Sequence, residues 1–317
     1  MSRPPTVAEF PTGPVWPGYF ADPAVVRLAD GGYAAYGSGP PPRPGAPTGE
    51  RMFECLLSDD LAHWRSAGPV LERLPDEYGD EYWAPEVAFV AGAYHLFYSV
   101  GHGISGHHLR VARSPAPTGP FHDLGVNLTP GERFAIDPHP FRDIDGRWYL
   151  FFARDVLDHP RPGTHLAVAP LAEPTTLGTA TTVLTPSADW QIYERDRRIY
   201  GARFEWHTLE GPFVVHRRGR YWLTYSGGAW TGPGYAVSWA VADHPLGPWQ
   251  QPLDDAPRLL STRDGLLGPG HNSIVATPDG DVIAFHAWDA TRTLRQLHLR
   301  RLHVRSEGPE VARSAHP

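Results

Sequence analysis

The sequence contains a single cysteine, Cys55, among 317 residues. One cysteine excludes an intrachain disulfide and any zinc cluster built from cysteines. Cys55 lies in the strand-like run M-F-E-C-L-L-S, which predicts a buried core residue and not a nucleophile. The chemistry of this protein must therefore come from other side chains.

Long apolar runs are also missing. No stretch reaches the roughly 18 apolar residues of a membrane-spanning helix, and the first ten residues contain no apolar core of signal-peptide length. We therefore expect a soluble, cytoplasmic protein; a chain whose signal had been removed would look the same and would be secreted. The net charge of −7 disfavours nucleic acid and anionic membranes as partners, and the composition leaves the oligomeric state open.

No long apolar helix pattern is present either, and in its place one unit of three strand-like runs occurs five times. In the first unit A-V-V-R-L is followed by a turn at 29–32, by Y-A-A-Y-G-S and, after a Pro-rich loop, by M-F-E-C-L-L-S. Gly-containing turns between alternating apolar and aromatic runs are typical of hairpins. The first runs of the other units are E-V-A-F-V, H-P-F-R-D, F-V-V-H and S-I-V-A-T.

The spacing of these units predicts the architecture. The prolines at corresponding points of the first four units, residues 23, 85, 140 and 212, are 62, 55 and 72 residues apart. This spacing leaves room for a fourth strand in each unit. Candidates for that strand are W-R-S-A-G-P-V-L, F-H-D-L-G-V and W-Q-Q-P-L. We predict one all-β domain over residues 1–317, a five-bladed β-propeller with an N-terminal segment at 1–19 and a Pro-rich rim loop at 40–50. A β-sandwich or a pair of barrels is the alternative.

Each first run is preceded by side chains that can do chemistry. The five motifs are Asp22-Pro23, Trp83-Ala84-Pro85-Glu86, Asp137-Pro138, Glu210-Gly211-Pro212 and Gly270-His271-Asn272. Because proline has no N–H for a ladder, we expect these motifs, Glu210 included, at the start of strands and not within a sheet. The first strand of each propeller blade lines the central axis, so the motifs are expected to meet at one mouth of the channel.

Three carboxyl groups beside a tryptophan match the needs of glycoside hydrolysis. A protonated carboxyl donates to the leaving oxygen, and an ionised carboxylate activates water or attacks the sugar. A third carboxylate can raise the pKa of the acid by like-charge repulsion. Duller interpretations stay open: Asp22 and Asp137 as turn residues before proline, Glu205 in place of Glu210, and Trp83 as core packing.

In this order the five motifs resemble those of glycoside hydrolase family 43, in the clan of five-bladed arabinanases and xylosidases. The resemblance covers nearly the whole chain and implies an inverting mechanism with Asp22 as general base and Glu210 as general acid. Asp137 would position and tune Glu210. The resemblance also implies that Trp83, His271 and Arg295 contact the sugar, and that no cofactor is required, although a calcium ion held through water near His271 is possible in such enzymes. For Glu86, a substrate contact and a structural role are both open.

The expected activity is hydrolysis of short arabinose- or xylose-containing oligosaccharides. The leading hypothesis is an exo-acting α-L-arabinofuranosidase. The alternatives are a β-xylosidase, an endo-1,5-α-L-arabinanase and, in another class, a non-catalytic propeller that binds carbohydrate or protein. Inversion predicts that the carboxyls of Asp22 and Glu210 stand roughly 6.5–9.5 Å apart.

Two further loops carry unusual composition. The glycine-rich run 101–107 is interpreted as loop filler, because no helix follows to make it a phosphate loop. The charged and aromatic run 189–209 is unusually long for a connection, and we expect it to line the site. It carries Trp190-Gln191, where many family members have Trp-Glu, so specificity is not transferred from any one member.

Overall fold

A computed structural model describes residues 10–40, 51–252 and 254–312. Apart from two short 3-10 turns, at Asp76–Tyr78 and Asp189–Gln191, all regular structure in these ranges is β-strand. The predicted all-β class is therefore confirmed. The first nine residues and nearly all of the Pro-rich run lie outside the described ranges. Within the described ranges, no helix is long and apolar enough to cross a membrane.

Twenty-one strands follow one another within the described ranges. The first two sheets consist of β1 Ala21–Arg27, β2 Tyr33–Ser38, β3 Arg51–Ser58 and β4 Arg65–Glu72, and of β5 Glu81–Val90, β6 Ala93–His102, β7 Ser105–Ser114 and β8 His122–Asn127. The largest sheet consists of β9 Ala135–Arg142, β10 Trp148–Val156, β11 Gly163–Glu173, β12 Thr176–Leu177, β13 Thr181–Leu184, β14 Ile192–Ile199, β15 Ala202–Arg217, β16 Arg220–Gly227 and β17 Ala236–Ala242. The last sheet consists of β18 Gly270–Thr277, β19 Gly280–Trp288, β20 Arg295–Val304 and β21 Pro309–Val311.

The described residues form four sheets, although the sequence predicted five separate units. The third and fourth units are joined because β11 and β15 pair in parallel over two residues, Gly163 with His207 and Thr164 with Thr208. Two of the three predicted fourth strands are present as β4 and β8. The third, W-Q-Q-P-L, makes only an isolated bridge between Gln250 and Val241, so that prediction was wrong.

Apolar side chains fill the spaces between neighbouring units, giving five buried clusters. They join β1–β4 to β5–β8, β5–β8 to β9–β11, β9–β11 to β15–β17, β15–β17 to β18–β20, and β18–β20 back to β1–β3. The first strands touch in the same order, β1 with β5, β5 with β9, β9 with β15, β15 with β18 and β18 with β1. The units thus follow one another around a closed circuit.

The last cluster also holds the segment before β1. Backbone N–H groups of Val15 and Phe20 donate to the carbonyls of Leu297 and Arg295 at 2.8 and 2.7 Å. The Phe20 ring is fully buried against the last sheet. Cys55 is a free thiol in the first cluster, where burial raises its pKa to about 12, and its predicted core position is confirmed.

The five motifs occupy β-bulges in the first strands. The expectation that they stand at strand starts is confirmed for the motifs that open β1 and β18 and is wrong for Glu210. Each strand loses register at its motif, where one residue has a positive φ: Asp22, Ala84, Asp137, Gly211 or His271. Glu210 accordingly lies well inside β15. A bulge leaves a residue out of the ladder, so the proline that follows in four motifs removes no needed hydrogen bond.

Candidate active site

The bulges bring most of the predicted site residues to one cavity of about 220 Å³. Six predicted residues line it: Asp22, Trp83, Asp137, Glu210, His271 and Arg295. The other lining residues are Gly39, Glu81, Gly103, Ile104, Ile136, Tyr193 and Trp230. Residues that are up to 273 positions apart in the sequence thus share one wall. The motif residues come from equivalent bulges in their own units, and Arg295 comes from the start of β20.

Asp22 is ionised in this cavity. Burial alone would raise the pKa of its carboxyl, but the Arg295 guanidinium lowers that pKa below the usual range. Arg295 Nη1 lies 3.3 Å from Asp22 Oδ1, and the backbone N–H of Asp22 donates to His286 Nδ1 at 3.1 Å. A buried carboxylate next to a fixed cation can accept a proton from water.

Glu210 has the opposite tendency. Burial, helped by the charge of Asp22, raises its pKa to about 7, although a hydrogen bond from the Tyr235 hydroxyl at 2.6 Å opposes the shift. Burial and the nearby Glu210 also raise the pKa of Asp137 well above its usual value. Because repulsion between the two carboxyls is reciprocal, ionisation of either one raises the pKa of the other. At neutral pH this pair therefore retains a proton.

Asp137 also fixes the backbone beside Glu210. Its Oδ2 accepts the N–H of Gly211 at 2.8 Å, across 74 residues of sequence. Gly211 has φ +56°, and a Cβ there would lie 3.1 Å from His271 Cγ. The bulge carrying Glu210 is thus held between one carboxyl group and one imidazole.

His271 is neutral and does not provide a calcium site. Burial lowers the pKa of its imidazole, and Nδ1 lies 3.5 Å from Asp22 Oδ1 and 3.8 Å from Asp137 Oδ2. Calcium takes six to eight oxygen ligands, whereas the charge of Asp22 here is already balanced by Arg295. Within the described ranges no group of three or more His, Cys, Asp or Glu side chains could hold a metal ion. The calcium suggested by the sequence is therefore not supported.

Trp83 is held from two sides. Its ring stacks on His107 with 3.7 Å between the centroids, and its Nε1 donates to Glu81 Oε2 at 3.1 Å. The His107 imidazole also bonds the carbonyl of Gly103 at 2.8 Å, so it supports the turn that brings Ile104 to the cavity. The glycine-rich run is therefore part of the cavity wall, and its interpretation as filler was wrong.

Glu86 differs from the other predicted residues because it does not line the cavity. Its Oε2 lies 3.4 Å from Nδ1 of His139, whose Nε2 accepts the N–H of Val214 in β15 at 3.1 Å. This contact chain supports the strand that carries Glu210. The geometry favours the structural of the two roles left open for Glu86.

The long run before Glu210 forms the hairpin β14–β15. Only Tyr193 of this run lines the cavity, so the expectation that the run shapes the site holds for its base alone. Glu205, the alternative acid, is half exposed and pairs with Arg195 at 2.7 Å. It is absent from the cavity lining, which favours Glu210 over Glu205.

Sequence reasoning missed several residues that build the site. Tyr19, Trp230 and Trp288 surround the Arg295 guanidinium, with ring centroids 5.5, 4.6 and 5.9 Å from its central carbon. Tyr235 and His286 bond Glu210 and Asp22. None of them belongs to a first-strand motif. The one sequence signal was weak: Tyr19, Tyr235 and Trp288 are aromatic residues at or near the end of a strand.

Two carboxyls held in opposite protonation states beside aromatic rings can protonate a leaving oxygen and activate a water in the same cavity, which is the chemistry of a glycosidase. Comparisons with known proteins agree. The family model for glycosyl hydrolases family 43 matches residues 11–309. The chain therefore belongs to this family of glycosidases.

Sequence identity to the three similar proteins described next is between 26% and 30%. Over 294 residues the chain is 30% identical to a beta-D-galactofuranosidase of Aspergillus niger, covering 86% of this chain and 75% of the relative. It is 26% identical to an extracellular exo-alpha-(1->5)-L-arabinofuranosidase of Streptomyces avermitilis, covering 66% of this chain and 43% of that protein. A crystal structure described as an endo-1,4-beta-xylanase of Bacteroides thetaiotaomicron superposes with a TM-score of 0.76 at 29% identity, over 94% of this chain and 95% of that one.

Proposed function

We propose that this protein is an inverting glycosidase in which Asp22 is the general base and Glu210 the general acid. The observation that carries the proposal is the difference in pKa between two carboxyls lining one cavity, lowered at Asp22 and raised to about 7 at Glu210. Asp22 takes a proton from a water that attacks the anomeric carbon, while Glu210 gives its proton to the leaving oxygen. Asp137 positions Glu210 through the Gly211 amide.

For the substrate we propose a short oligosaccharide with a terminal α-L-arabinofuranosyl unit, cleaved in exo fashion. The cavity of about 220 Å³ is smaller than the roughly 300–1,000 Å³ typical of pockets for drug-sized ligands, which suits one sugar ring. Trp83 and Trp230 offer aromatic faces for that ring, and Arg295 offers N–H donors for hydroxyl groups. A relative named as an exo-arabinofuranosidase supports the choice.

A β-D-galactofuranoside is the second candidate. The relative with 30% identity carries that activity in its name. The two furanosides share the ring configuration and differ in the exocyclic carbon chain at C4, so the same cavity could receive either ring. The β-xylosidase alternative requires a site for a pyranose ring, and the endo-arabinanase alternative requires an open groove.

We also propose that the sheets form one catalytic domain, a five-bladed β-propeller whose third and fourth blades are bridged through β11 and β15. The closed order of first strands and the five clusters between units support this reading. In such a ring the five bulges face a common axis, as the shared cavity requires.

The proposal is tested by release of nitrophenol from the nitrophenyl α-L-arabinofuranoside, β-D-galactofuranoside and β-D-xylopyranoside, and by release of reducing sugar from linear arabinan as the polymer control. We expect the arabinofuranoside to be cleaved fastest and the first-formed sugar, followed by proton NMR, to have the inverted anomeric configuration. A retained anomer would contradict the assignment of Asp22 as base. Turnover of arabinan with internal cleavage would favour the endo alternative.

Glu210→Gln separates enzyme from binding module. Removing the acid should lower kcat by about 10²–10⁴-fold on a sugar leaving group while oligosaccharide still binds. Glu205→Gln is the matched control, because Glu205 lies five residues earlier in β15 outside the cavity, and it should leave kcat unchanged. A wild-type protein that binds pentosides but turns none over would support the binding module instead.

A further inference from the structure

Tyr235 immediately precedes β17 and is 1% exposed. Its hydroxyl donates to Glu210 Oε1 at 2.6 Å, one of the shortest side-chain hydrogen bonds around the cavity. Its ring stacks on His286 with an angle of 10° and 5.8 Å between the centroids. A Cβ added to Gly270 would lie 1.8 Å from Tyr235 Cε1, so the ring is closely packed on the side of β18. The hydroxyl is therefore held in one place.

We propose that Tyr235 is the positioning residue of the general acid: its O–H occupies Oε1 of Glu210 and leaves Oε2 to carry the proton that is transferred. The inference rests on the proposed function, because it assumes that Glu210 is the acid. Tyr235 does not line the cavity, so it acts through Glu210 and not on the sugar.

The same hydrogen bond strengthens during the reaction. When Glu210 releases its proton it becomes a carboxylate, and hydrogen bonds to charged groups are stronger than those to neutral ones. Tyr235 thus stabilises the charge that develops on the acid at the transition state. A phenol is suited to this role, since burial and the neighbouring Glu210 hold its own pKa well above 10 and keep the donor proton in place.

Other charged groups face Glu210 and set the background. Asp22 and Asp137 repel its negative charge, and Arg295 and Arg197 attract it. Tyr193 is a further titratable neighbour, and His271 lies beside the adjoining Gly211. Tyr235 is the hydroxyl that bonds Glu210 directly. Its removal should therefore change the titration of Glu210 without removing any formal charge from the site.

The stacked rings of Tyr235 and His286 connect the two sides of the reaction. His286 accepts the backbone N–H of Asp22, while Tyr235 donates to the side chain of Glu210. This rigid pair, from the residue before β17 and from β19, thereby fixes the base and the acid relative to each other. The placement explains why a fully buried tyrosine hydroxyl points toward the cavity wall.

Tyr235→Phe tests the proposal because it keeps the ring and removes only the hydroxyl. We expect the basic limb of the kcat/KM profile to move upward by about one to two pH units, since the carboxylate of Glu210 loses a donor. At a pH below that limb, kcat should fall about tenfold on a sugar leaving group. On a dinitrophenyl glycoside, whose leaving group needs no proton, the loss should be less than about twofold.

Tyr221→Phe is the matched control. Tyr221 donates to Asp143 Oδ1 at the same 2.6 Å, yet neither residue lines the cavity. The control should lose comparable thermal stability and keep the wild-type pH profile. A Tyr235→Phe enzyme with an unmoved basic limb, or with equal losses on both leaving groups, would overturn the proposal.

Failure of the inference can be told apart from failure of the proposed function. If Glu210→Gln keeps wild-type kcat on a sugar leaving group, Glu210 is not the acid and both ideas fall. If Glu210→Gln is inactive on that substrate and Tyr235→Phe behaves like Tyr221→Phe, only the role of Tyr235 is lost.

Discussion

At the scale of single residues, the site works by placing similar carboxyl groups in different surroundings. Asp22 is buried and Glu210 is partly buried. Asp22 has Arg295 at 3.3 Å, whereas among the residues that the structure describes no cation lies so close to Glu210. The nearest donor to Glu210 is the neutral Tyr235 hydroxyl. The position of one guanidinium therefore decides which carboxyl is ionised and which keeps its proton.

This asymmetry predicts the pH dependence of kcat/KM. Glu210 must be protonated to act as the acid, so activity should fall as pH rises through about 7, the pKa to which burial raises it. Asp22 must be ionised, and its pKa is lowered, so the acidic limb should lie below the ordinary carboxyl pKa of about 3.9. The measurement is kcat/KM between pH 3 and 9 on the preferred glycoside, within the range where the protein stays folded.

Arg295→Met provides the check on this prediction. Without the guanidinium the pKa of Asp22 should rise, and the acidic limb should move to higher pH. An acidic limb that stays in place would mean that Asp22 is not the group that titrates there.

At the scale of elements, the recurring device is a bulge with a left-handed residue. A bulge turns one side chain out of the alternation of its strand, and the same bulge in five first strands directs five motifs toward one place. Left-handed backbone costs about 1–2 kcal/mol for a residue with a Cβ, so positions such as Asp22 and Asp137 must be held by their contacts. In the fourth unit the left-handed position is Gly211, next to the acid.

Gly211→Ala tests the bulge. The free energy of unfolding should fall by about 1–2 kcal/mol from the backbone conformation alone, and a Cβ 3.1 Å from His271 should shift Glu210. We expect kcat to fall by about 10²-fold, as a displacement of about 1 Å can cause. Chemical denaturation and steady-state kinetics measure the two effects.

Gly219→Ala is the control for this change. Gly219 has φ +74° in the turn between β15 and β16, and a Cβ there would meet nothing within 4 Å. It should lose similar stability and keep full activity. Equal activity losses in both variants would show that the bulge itself is not what positions the acid.

At the scale of the whole molecule, the site depends on closure of the circuit of sheets. Asp22 and Arg295 come from the first and last sheets, and their contact exists only if those sheets pack together. The residues that join them are apolar, among them Phe20, Leu297 and Leu299, all fully buried. Stability of this junction and integrity of the site are therefore linked.

Leu299→Ala tests the junction. Deleting a fully buried leucine side chain should lower the free energy of unfolding by about 2–5 kcal/mol, and the melting temperature should fall accordingly. Ile144→Ala removes a side chain of a residue that is 72% exposed and should change stability by less than about 0.5 kcal/mol. A Leu299→Ala protein as stable as the Ile144→Ala protein would contradict the role given to this cluster.

The sequence by itself determined the strand class, the repeating unit and the acidic motifs, because alternation, turn glycines and X-Pro pairs are local properties of the chain. It also predicted that Asp22, Asp137 and Glu210 would meet, since equal positions in repeated units become neighbours when the units close. It could not place the motifs in bulges. A proline that follows an acidic residue is equally compatible with the start of a strand, and the register that distinguishes the two depends on the partner strand.

Only the tertiary structure decided the charge states and the supporting contacts. Tyr235, next to β17, and His286, in β19, lie far in sequence from Glu210 and Asp22, so their contribution appears only after packing. The pairing of Glu86 with His139 likewise joins strands of different units. A pKa depends on burial and on charges brought near in space, and neither is encoded by any short stretch of sequence.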